Sequence, residues 1–537
     1  MPDPREDRLQ LQADVLVIGG GPAAAWAAWA AASKGQRTVL VDKGYMGASG
    51  ACAASGNSLL NPPPKDREAI LKARHRTGQY LGDLRWMDRI FEATWRSLPL
   101  VEAWGYQFPQ VDGESARESF WGPEYLKVLR KALLKAGVQV LDHSPALQLL
   151  LDADGAVAGA QGLQRQAGGR AWQVKAKAVV LAAGGAAWLS KVLGCNTNTG
   201  DALLMAAEAG GELLGMEFSS QYAISSALNA TVTRGVPFAW ASYSDEAGRP
   251  LTGKDGGRFG TPELAAALLK GPVYAQLDKA SHQVRQVIES SHFITFYPLE
   301  KADIDPYGQR FPVTLVAEGT VRGTGGIRLT DDECATGIPG LYAAGDSAQR
   351  VLLGGASSAG GGPSAAWCIA SGQWAGGGAA EYARSLSEAS FDRPVRQAGR
   401  AGLTAEAGHA GSFDPDDVVR RLQAEVLPYD KNLFRHEEGL KASIRAVDGL
   451  WQELKGVPAV NGHRGVLRAR EAAALTATAR WMFRSALERR ESRGMHIRTD
   501  FPATDPAQRV HLISGGLDQP WVRREPVLDA EPAGVGR

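Results

Sequence analysis

The hydrophobic pattern is clearest near the N-terminus, where Asp14 leads into Val15-Leu-Val-Ile18, apolar at every position. A run without polar alternation predicts a strand buried on both faces, as in a parallel sheet. Gly19-Gly20-Gly21-Pro22 ends it, an Ala-rich helix follows to about Ser33, and Thr38-Val-Leu-Val41 is a second buried strand closing on Asp42. Residues 146–183 read as a β-meander: Leu147–Leu151, a turn at Asp154-Gly155, Ala156–Leu163, a turn at Gly168-Gly169, and Trp172–Val174. It runs into a further buried strand, Val179–Ala183, before Gly184-Gly185. A last short strand from Gly340 closes on Gly345-Asp346, and Gly354–Ser364 opens another Ala-rich helix. Residues 216–319 are irregular, with polar and aromatic segments such as Phe238-Ala-Trp240 and His292–Tyr297. From 396 onward the pattern is mainly helical, as in Glu437–Leu454 and Glu471–Arg490, and the Pro/Gly-rich end after about Asp518 is expected to be extended or mobile.

A chain of 537 residues exceeds one compact core and divides into several domains. With 44% apolar residues and a net charge of +1, it is a soluble globular type with no bulk basic field for nucleic acid or an anionic membrane. Val15–Ala32 carries no charge and follows Arg5 and Arg8, which superficially suits a signal or spanning segment. Asp14 at its edge and Gly19–Pro22 inside it favour strand, turn and helix instead. The cysteines, Cys52, Cys195, Cys334 and Cys368, have no C-x-x-C spacing. The chain is therefore not expected to build a metal site or its own iron–sulfur cluster, and any such cluster would sit on another polypeptide. A disulfide framework is not expected at this size either, which fits a reducing, cytoplasmic setting.

Gly19-x-Gly21-x-x-Ala24 sits at the first turn of a β–α–β unit. Gly19 permits the tight turn, Gly21 lets a pyrophosphate approach the backbone, and small Ala24 lets helix and strand pack closely. The helix N-terminus faces the phosphate charge, and Asp42, 23 residues after Gly19, can accept hydrogen bonds from a ribose. The motif alone does not separate FAD from NAD. The meander, the Gly345-Asp346 turn, whose carboxylate suits a ribityl chain, and the helix start at Ser364, whose positive end suits a reduced flavin, decide for FAD.

These stretches resemble the succinate dehydrogenase/fumarate reductase flavoprotein superfamily, which includes L-aspartate oxidase and the flavoprotein subunit of adenylylsulfate reductase. The likeness continues through Ser49–Gly56, Thr199-Gly200-Asp201, Gly215-Met-Glu-Phe218, Gly325-Gly326-Ile327, Leu433–Leu440 and Glu491–Pro502. It implies an α/β fold: a discontinuous Rossmann-like FAD-binding domain (12–215 and 320–395), an inserted α+β capping domain (216–319), a C-terminal helical domain (396–518) and an extended tail (519–537). By resemblance, FAD contacts fall on Asp42, Lys43, Ser49, Gly50, Ala51, Ala146, Ala183, Gly184, Thr199, Asp201, Gly345, Asp346 and Ser364. Members with covalent FAD carry a histidine where this chain has Gly50, so FAD is expected to be noncovalent.

The departures bear on substrate. The family's His-Pro-Thr is here Gln221-Tyr-Ala-Ile-Ser-Ser226, and Ser358 stands near the usual arginine of the carboxylate clamp. Succinate, fumarate and aspartate are therefore not expected substrates. The adenylylsulfate reductase branch, which works with a ferredoxin-like iron–sulfur partner protein, is the nearer resemblance. Only one G-x-G-x-x-A unit is present, which favours electron exchange with substrate, oxygen, quinone or a partner protein over a nicotinamide. A small anionic substrate needs fixed cations. Arg322, just before Gly325-Gly326, Arg350, after Gly345-Asp346, and Arg234, in the cap, are the catalytic candidates; each taken alone suits a surface or structural ion pair better than catalysis. Glu318 is a candidate partner of Arg322. Arg493, His496 and Arg498 suit docking of the helical domain, His282 and His292 suit packing or surface roles, and Cys52 suits a buried thiol. The leading expectation is the flavoprotein half of a redox complex. The rivals are a stand-alone flavin oxidase or dehydrogenase and a flavin-binding protein whose active site has decayed.

Overall fold

The computed structural model describes residues 8–527 apart from 55, 109, 112–113, 116, 230–234, 254–258, 359–361, 404–413 and 456–461. β1 is Leu9–Ile18, six residues longer at its start than the apolar run. Its first residues, Leu9-Gln-Leu-Gln, alternate because one face is open there, and the remainder is buried on both faces. The helix α1 (Pro22–Ser33) and β2 (Thr38–Val41) complete the unit with parallel pairing to β1.

Around this unit lies an eight-stranded sheet. Gln139–Leu141 adds to β2 in parallel, and Arg170–Leu181 runs parallel to β1 along its whole length. The third meander strand and the following buried strand are thus one continuous strand rather than two. Its first half pairs antiparallel with Val157–Gln164, which pairs with Ala146–Leu151, while its last residues pair in parallel with Leu341–Ala343. Against this sheet, α1 packs on the helix Gly362–Ser385 with backbones almost touching. A methyl carbon on Gly376 would lie 2.2 Å from the Ala27 carbonyl oxygen, and one on Gly372 would lie 2.6 Å from that of Ala23. Small residues on both helices make that approach possible.

Residues 216–319 are more regular than their sequence suggests. Gln221–Ser226, Phe311–Glu318, Val273–Gln276, Ser242–Asp245 and Pro250–Leu251 form an antiparallel five-stranded sheet with short helices, including His282–Ser291 and Phe293–Lys301. The C-terminal region is built on the helices Pro415–Val426, Glu437–Lys455 and Gly462–Glu488; the last begins nine residues before the predicted Glu471. Beyond them Val510–Gly515 and Trp521–Pro526 form a hairpin that extends a sheet with Leu213–Leu214 and Gly326–Ile327. The end after Asp518, expected to be extended or mobile, is extended over residues 521–526, where ladder hydrogen bonds hold it.

A buried ionic cluster fastens the helical region to the rest. Arg489 pairs with Glu217 at 2.8 Å and Glu491 at 2.9 Å, Arg493 pairs with Glu491 at 2.6 Å and donates to the Gln79 carbonyl, and Arg435 meets His496 at 2.7 Å. Arg498 pairs with Asp500 and donates to helix-end carbonyls of Ala486 and Leu487. Burial, followed by the charges of Arg435 and Arg489, holds the His496 imidazole well below its usual range, so it packs here as a neutral ring. Among the described residues, no helix is long and apolar enough to cross a membrane, and no cluster of metal-ligating side chains occurs.

Candidate functional site

Parallel register builds the site. Ile18 is level with Val41 and with Leu181, and Leu181 is level with Ala343. The turns leaving these four strand ends, at Gly19, Asp42, Ala182 and Ala344, therefore emerge along one edge of the sheet. Ligands of open α/β sheets bind beyond this carboxyl edge. A cavity of about 450 Å³ opens there, running from the first turn to the underside of the 216–319 region.

At the first turn, Gly19 has φ +127°, and a side chain there would place its Cβ 2.1 Å from the Ala182 carbonyl oxygen. Gly20 is pressed against the Asp42 carboxylate. Gly21 differs: its φ of −78° suits any residue, yet a Cβ there would meet nothing within 4 Å. Its open side faces the cavity at the uncapped N-terminus of α1, where free N–H groups and the helix dipole suit an anion. That is the space a pyrophosphate would fill. Ala24 lies within α1, fully buried and away from the cavity wall, where its smallness serves packing.

Asp42 lines the same cavity and accepts from the Ser49 hydroxyl at 2.6 Å. Burial pushes its carboxyl above the usual carboxylate range, opposed by Ser49 and by the backbone N–H groups of Gly44 and Lys43. A buried acceptor of this kind fits ribose hydroxyls, which would supply further donors. Lys43 also lines the cavity, but its ammonium is already committed. It pairs with Asp201 at 2.9 Å and Glu471 at 2.6 Å, and donates to Thr199 at 2.7 Å. Burial alone would lower its pKa, yet the two carboxylates outweigh that and raise it. Thr199 stands behind the wall and donates to Asp201, which lines the cavity. This knot ties the cofactor turn to the C-terminal helix Gly462–Glu488, and nothing in the local sequence announces it.

Ser49, Gly50, Ala51, Ala146, Ala183 and Gly184 all line the cavity. Gly50 has φ +81° and no Cβ neighbour within 4 Å, so the position that could carry a flavin-linking imidazole carries no side chain. Farther along, Asp346 and Ser364 form the wall, with Ser364 donating to Asp346 at 3.0 Å. Gly345 sits just beneath, with φ +61° and its open side blocked by Ala23. These residues fit FAD: an anion cradle, a buried ribose acceptor beside it, and a carboxylate–hydroxyl pair elsewhere on the same cavity wall.

The arginine candidates separate. Arg350 has a fully buried side chain and does not face the cavity. It pairs with Asp346 and donates to Ser364 at 3.0 Å, to the Val321 carbonyl at 3.0 Å, to that of Gly323 at 2.5 Å and to that of Thr320. It holds a wall in place rather than meeting a substrate. Arg322 ends the helical turn after the strand Phe311–Glu318, lines the cavity, and pairs with Glu318 at 3.3 Å. Arg234 lies outside the described residues. His292 reaches the cavity with Arg322, Glu318, Val236 and Val321, whereas His282 is exposed at its helix start. Cys52, Cys195 and Cys368 line it too. No cofactor motif in the sequence marks Phe120 and Tyr125, whose rings stack at 4.0 Å in the wall; the aromatic cluster Phe120, Trp121 and Tyr125 at the start of the Gly122–Lys135 helix was the available hint.

Comparison with known proteins agrees with this geometry. The FAD binding domain family matches residues 14–363, and the fumarate reductase flavoprotein C-terminal family matches 421–527. An uncharacterized FAD-dependent oxidoreductase of Methanocaldococcus jannaschii is 25% identical, covering 94% of this chain and 97% of that protein. One of the subunits of the fumarate reductase (CoM/CoB) of Methanothermobacter marburgensis is 25% identical, covering 96% and 99%. Among solved structures, an E. coli quinol fumarate reductase chain has a TM-score of 0.81 at 23% identity, covering 98% of this chain and 99% of that one. Adenylylsulfate reductase of Archaeoglobus fulgidus has 0.78 at 17%, covering 98% and 97%. At these identities the likeness is one of fold, and it does not separate the two branches. With the FAD binding domain family spanning most of the chain and the cofactor cavity in place, the chain belongs to the succinate dehydrogenase/fumarate reductase flavoprotein superfamily of FAD-dependent oxidoreductases.

Proposed function

We propose that this flavoprotein holds FAD noncovalently and is the flavin-bearing subunit of a cytoplasmic redox complex with a ferredoxin-like iron–sulfur partner, oxidising or reducing a small anionic substrate other than succinate or fumarate. The observation that carries the substrate part is the Arg322–Glu318 pair. It lines the cavity on the 216–319 side, so the cation there is already half neutralised. A guanidinium shared with a carboxylate suits a substrate bearing a single negative charge better than a dicarboxylate. Ser358 points the same way: it replaces the expected clamp arginine and donates to the Arg322 carbonyl at 3.0 Å.

Bound FAD supplies the hydride or electron port at its N5. The protein's part is binding, orientation and exclusion of water. The Gly19–Gly21 turn receives the pyrophosphate, Asp42 the ribose, and Asp346 with Ser364 the ribityl hydroxyls. Arg350 keeps Asp346 from swinging out, since it bonds Asp346 and the 320–323 carbonyls together. Val192, Val236 and Val321 give the substrate end an apolar lining, and Arg322 orients the anionic group. The partner reading rests on relatives that are themselves named as subunits and on cysteines with no C-x-x-C spacing for a cluster in this chain.

The test is anaerobic reduction of the bound flavin, followed by absorbance, across mono- and dicarboxylate, sulfur-oxyanion and thiol substrates, with and without co-expressed ferredoxin-like proteins. A singly charged substrate is expected to bleach the flavin, Arg322→Gln to abolish the bleaching while retaining FAD, and electrons to pass onward only with the partner. Bleaching by succinate, or by any substrate at the wild-type rate in Arg322→Gln, refutes it. Rapid reoxidation by oxygen with peroxide release and no partner requirement would make the protein a stand-alone oxidase.

A further inference from the structure

We propose that Tyr125, Trp26 and the pair Trp29 and Trp104 form a radical relay that carries an oxidising equivalent out of the FAD cavity to the protein surface. This rests on the cavity being the FAD site. Tyr125 lines that cavity, and the buried indole of Trp26 donates its Nε1 hydrogen to the Tyr125 hydroxyl at 2.7 Å. The Trp26 ring lies 4.9 Å from that of Trp104 and 5.7 Å from that of Trp29, which are themselves 5.1 Å apart. Trp26 is fully buried, whereas Trp29 and Trp104 are partly open to solvent. Trp26 and Trp29 are three apart on α1 and so share a face. The result is a chain of contacts from cofactor cavity to exterior, made of the two aromatic side chains that lose an electron most readily.

The hydrogen bond has the direction the chemistry needs. A one-electron oxidant in the cavity, such as an oxygen-derived radical, takes one electron and the phenolic proton from Tyr125 and is reduced. Trp26 then passes one electron and its Nε1 proton across the 2.7 Å bond, restoring the Tyr125 O–H. Trp104 or Trp29 next gives an electron to Trp26 and sheds its own indole proton to solvent. Trp26 regains its proton from Tyr125, which takes a replacement from cavity water. In sum, one hydrogen-atom equivalent moves from the surface tryptophan to the oxidant. A soluble thiol then repairs that tryptophan, the thiol being oxidised to its radical.

Blue light on the bound flavin makes a one-electron oxidant confined to the cavity. FAD occupancy is first read by absorbance. The holoprotein is then illuminated anaerobically with a nitroso spin trap, and trapped sites are located by peptide mass spectrometry. The relay predicts adducts on Trp104 and Trp29 in the wild type. In Trp26→Phe these adducts are lost, and damage moves to the cavity residues Tyr125, Cys52 and Cys368. Should that buried variant fail to fold, the double variant Trp29→Phe/Trp104→Phe decides, with adducts expected on Trp26 and Tyr125 instead. Trp374→Phe is the control, because Trp374 belongs to a separate group with Trp86 and Trp367 that does not line the cavity, and it should leave the pattern unchanged. Surface adducts that persist in Trp26→Phe, or wild-type adducts confined to the cavity wall, overturn the relay. A folded protein without flavin removes its premise along with the FAD reading, and absorbance identifies that case before illumination.

Discussion

Gly21→Ala separates folding from cofactor binding. The backbone at Gly21 is extended, with φ −78° and ψ 179°, and a methyl group there meets no protein atom within 4 Å. Reduced freedom of the unfolded chain would stabilise the variant by ~0.4–1 kcal/mol, and the poorer N-cap costs a similar amount, ~0.5–1 kcal/mol. The apoprotein should therefore melt close to the wild type. The same methyl occupies the space through which a pyrophosphate reaches the α1 N–H groups. Losing one charge-assisted hydrogen bond costs ~1.5–3 kcal/mol, which is about a 10- to 150-fold rise in Kd for FAD. Apoprotein from both forms would be titrated with FAD by flavin fluorescence quenching and melted with and without it. At a fixed FAD concentration the ligand-induced stabilisation should shrink by about 1.4 kcal/mol for each tenfold loss of affinity. Unchanged FAD affinity, or an apoprotein destabilised by several kcal/mol, would refute the placement of the pyrophosphate at this turn.

Gly376→Ala should destabilise the fold by ~1–3 kcal/mol despite a better helix former, because its methyl meets the Ala27 carbonyl, which is backbone and cannot step aside; chemical denaturation measures it. Arg350→Met removes the donor that joins Asp346 to the 320–323 carbonyls, so a loss of ~3–5 kcal/mol is expected together with loss of FAD, and a stable holoprotein would count against the positioning role. Asp14 is held well below the usual carboxylate range by Arg37 first, against burial, with Lys177 adding to it. Its depressed folded pKa means the stability is present above about pH 3.9 and is lost as pH falls. With Arg37 half exposed, its worth is only ~1 kcal/mol, so Asp14→Asn should lower the melting temperature modestly at neutral pH and flatten its decline in acid. A parallel decline in both proteins would contradict that assignment.

What the sequence disclosed was what has a local period. The run Val15–Ile18, the glycines at 19 and 21 and the acid at 42 each mark a strand, turn or strand end within one β–α–β unit, and Ile18, Gly19, Gly21 and Asp42 line the cavity at the end of that run. Side-chain direction across long separations was not legible. Arg350 reads as a site cation because it follows Gly345-Asp346, but its guanidinium turns back to carbonyls some thirty residues earlier in the chain. Lys43 reads as a cofactor contact, yet Asp201 and Glu471 claim its charge from distant elements. The 216–319 sheet was hidden for a related reason: its strands are short, and Gln221–Ser226 pairs with Phe311–Glu318 across most of the insertion, so neither leaves a long alternating run. The sequence carries no signal that Trp26 and Tyr125 meet, 99 residues apart, in the hydrogen bond at the cavity wall.

On the proposed reading, the four strand-end turns enclose one FAD held without a covalent bond. Unfolding the purified protein in acid, removing the chain by filtration and identifying the released chromophore measures this directly. One intact FAD per chain is expected in the filtrate and none on the polypeptide. Flavin retained by the unfolded chain, or a folded protein that takes up no FAD when it is supplied, would contradict it.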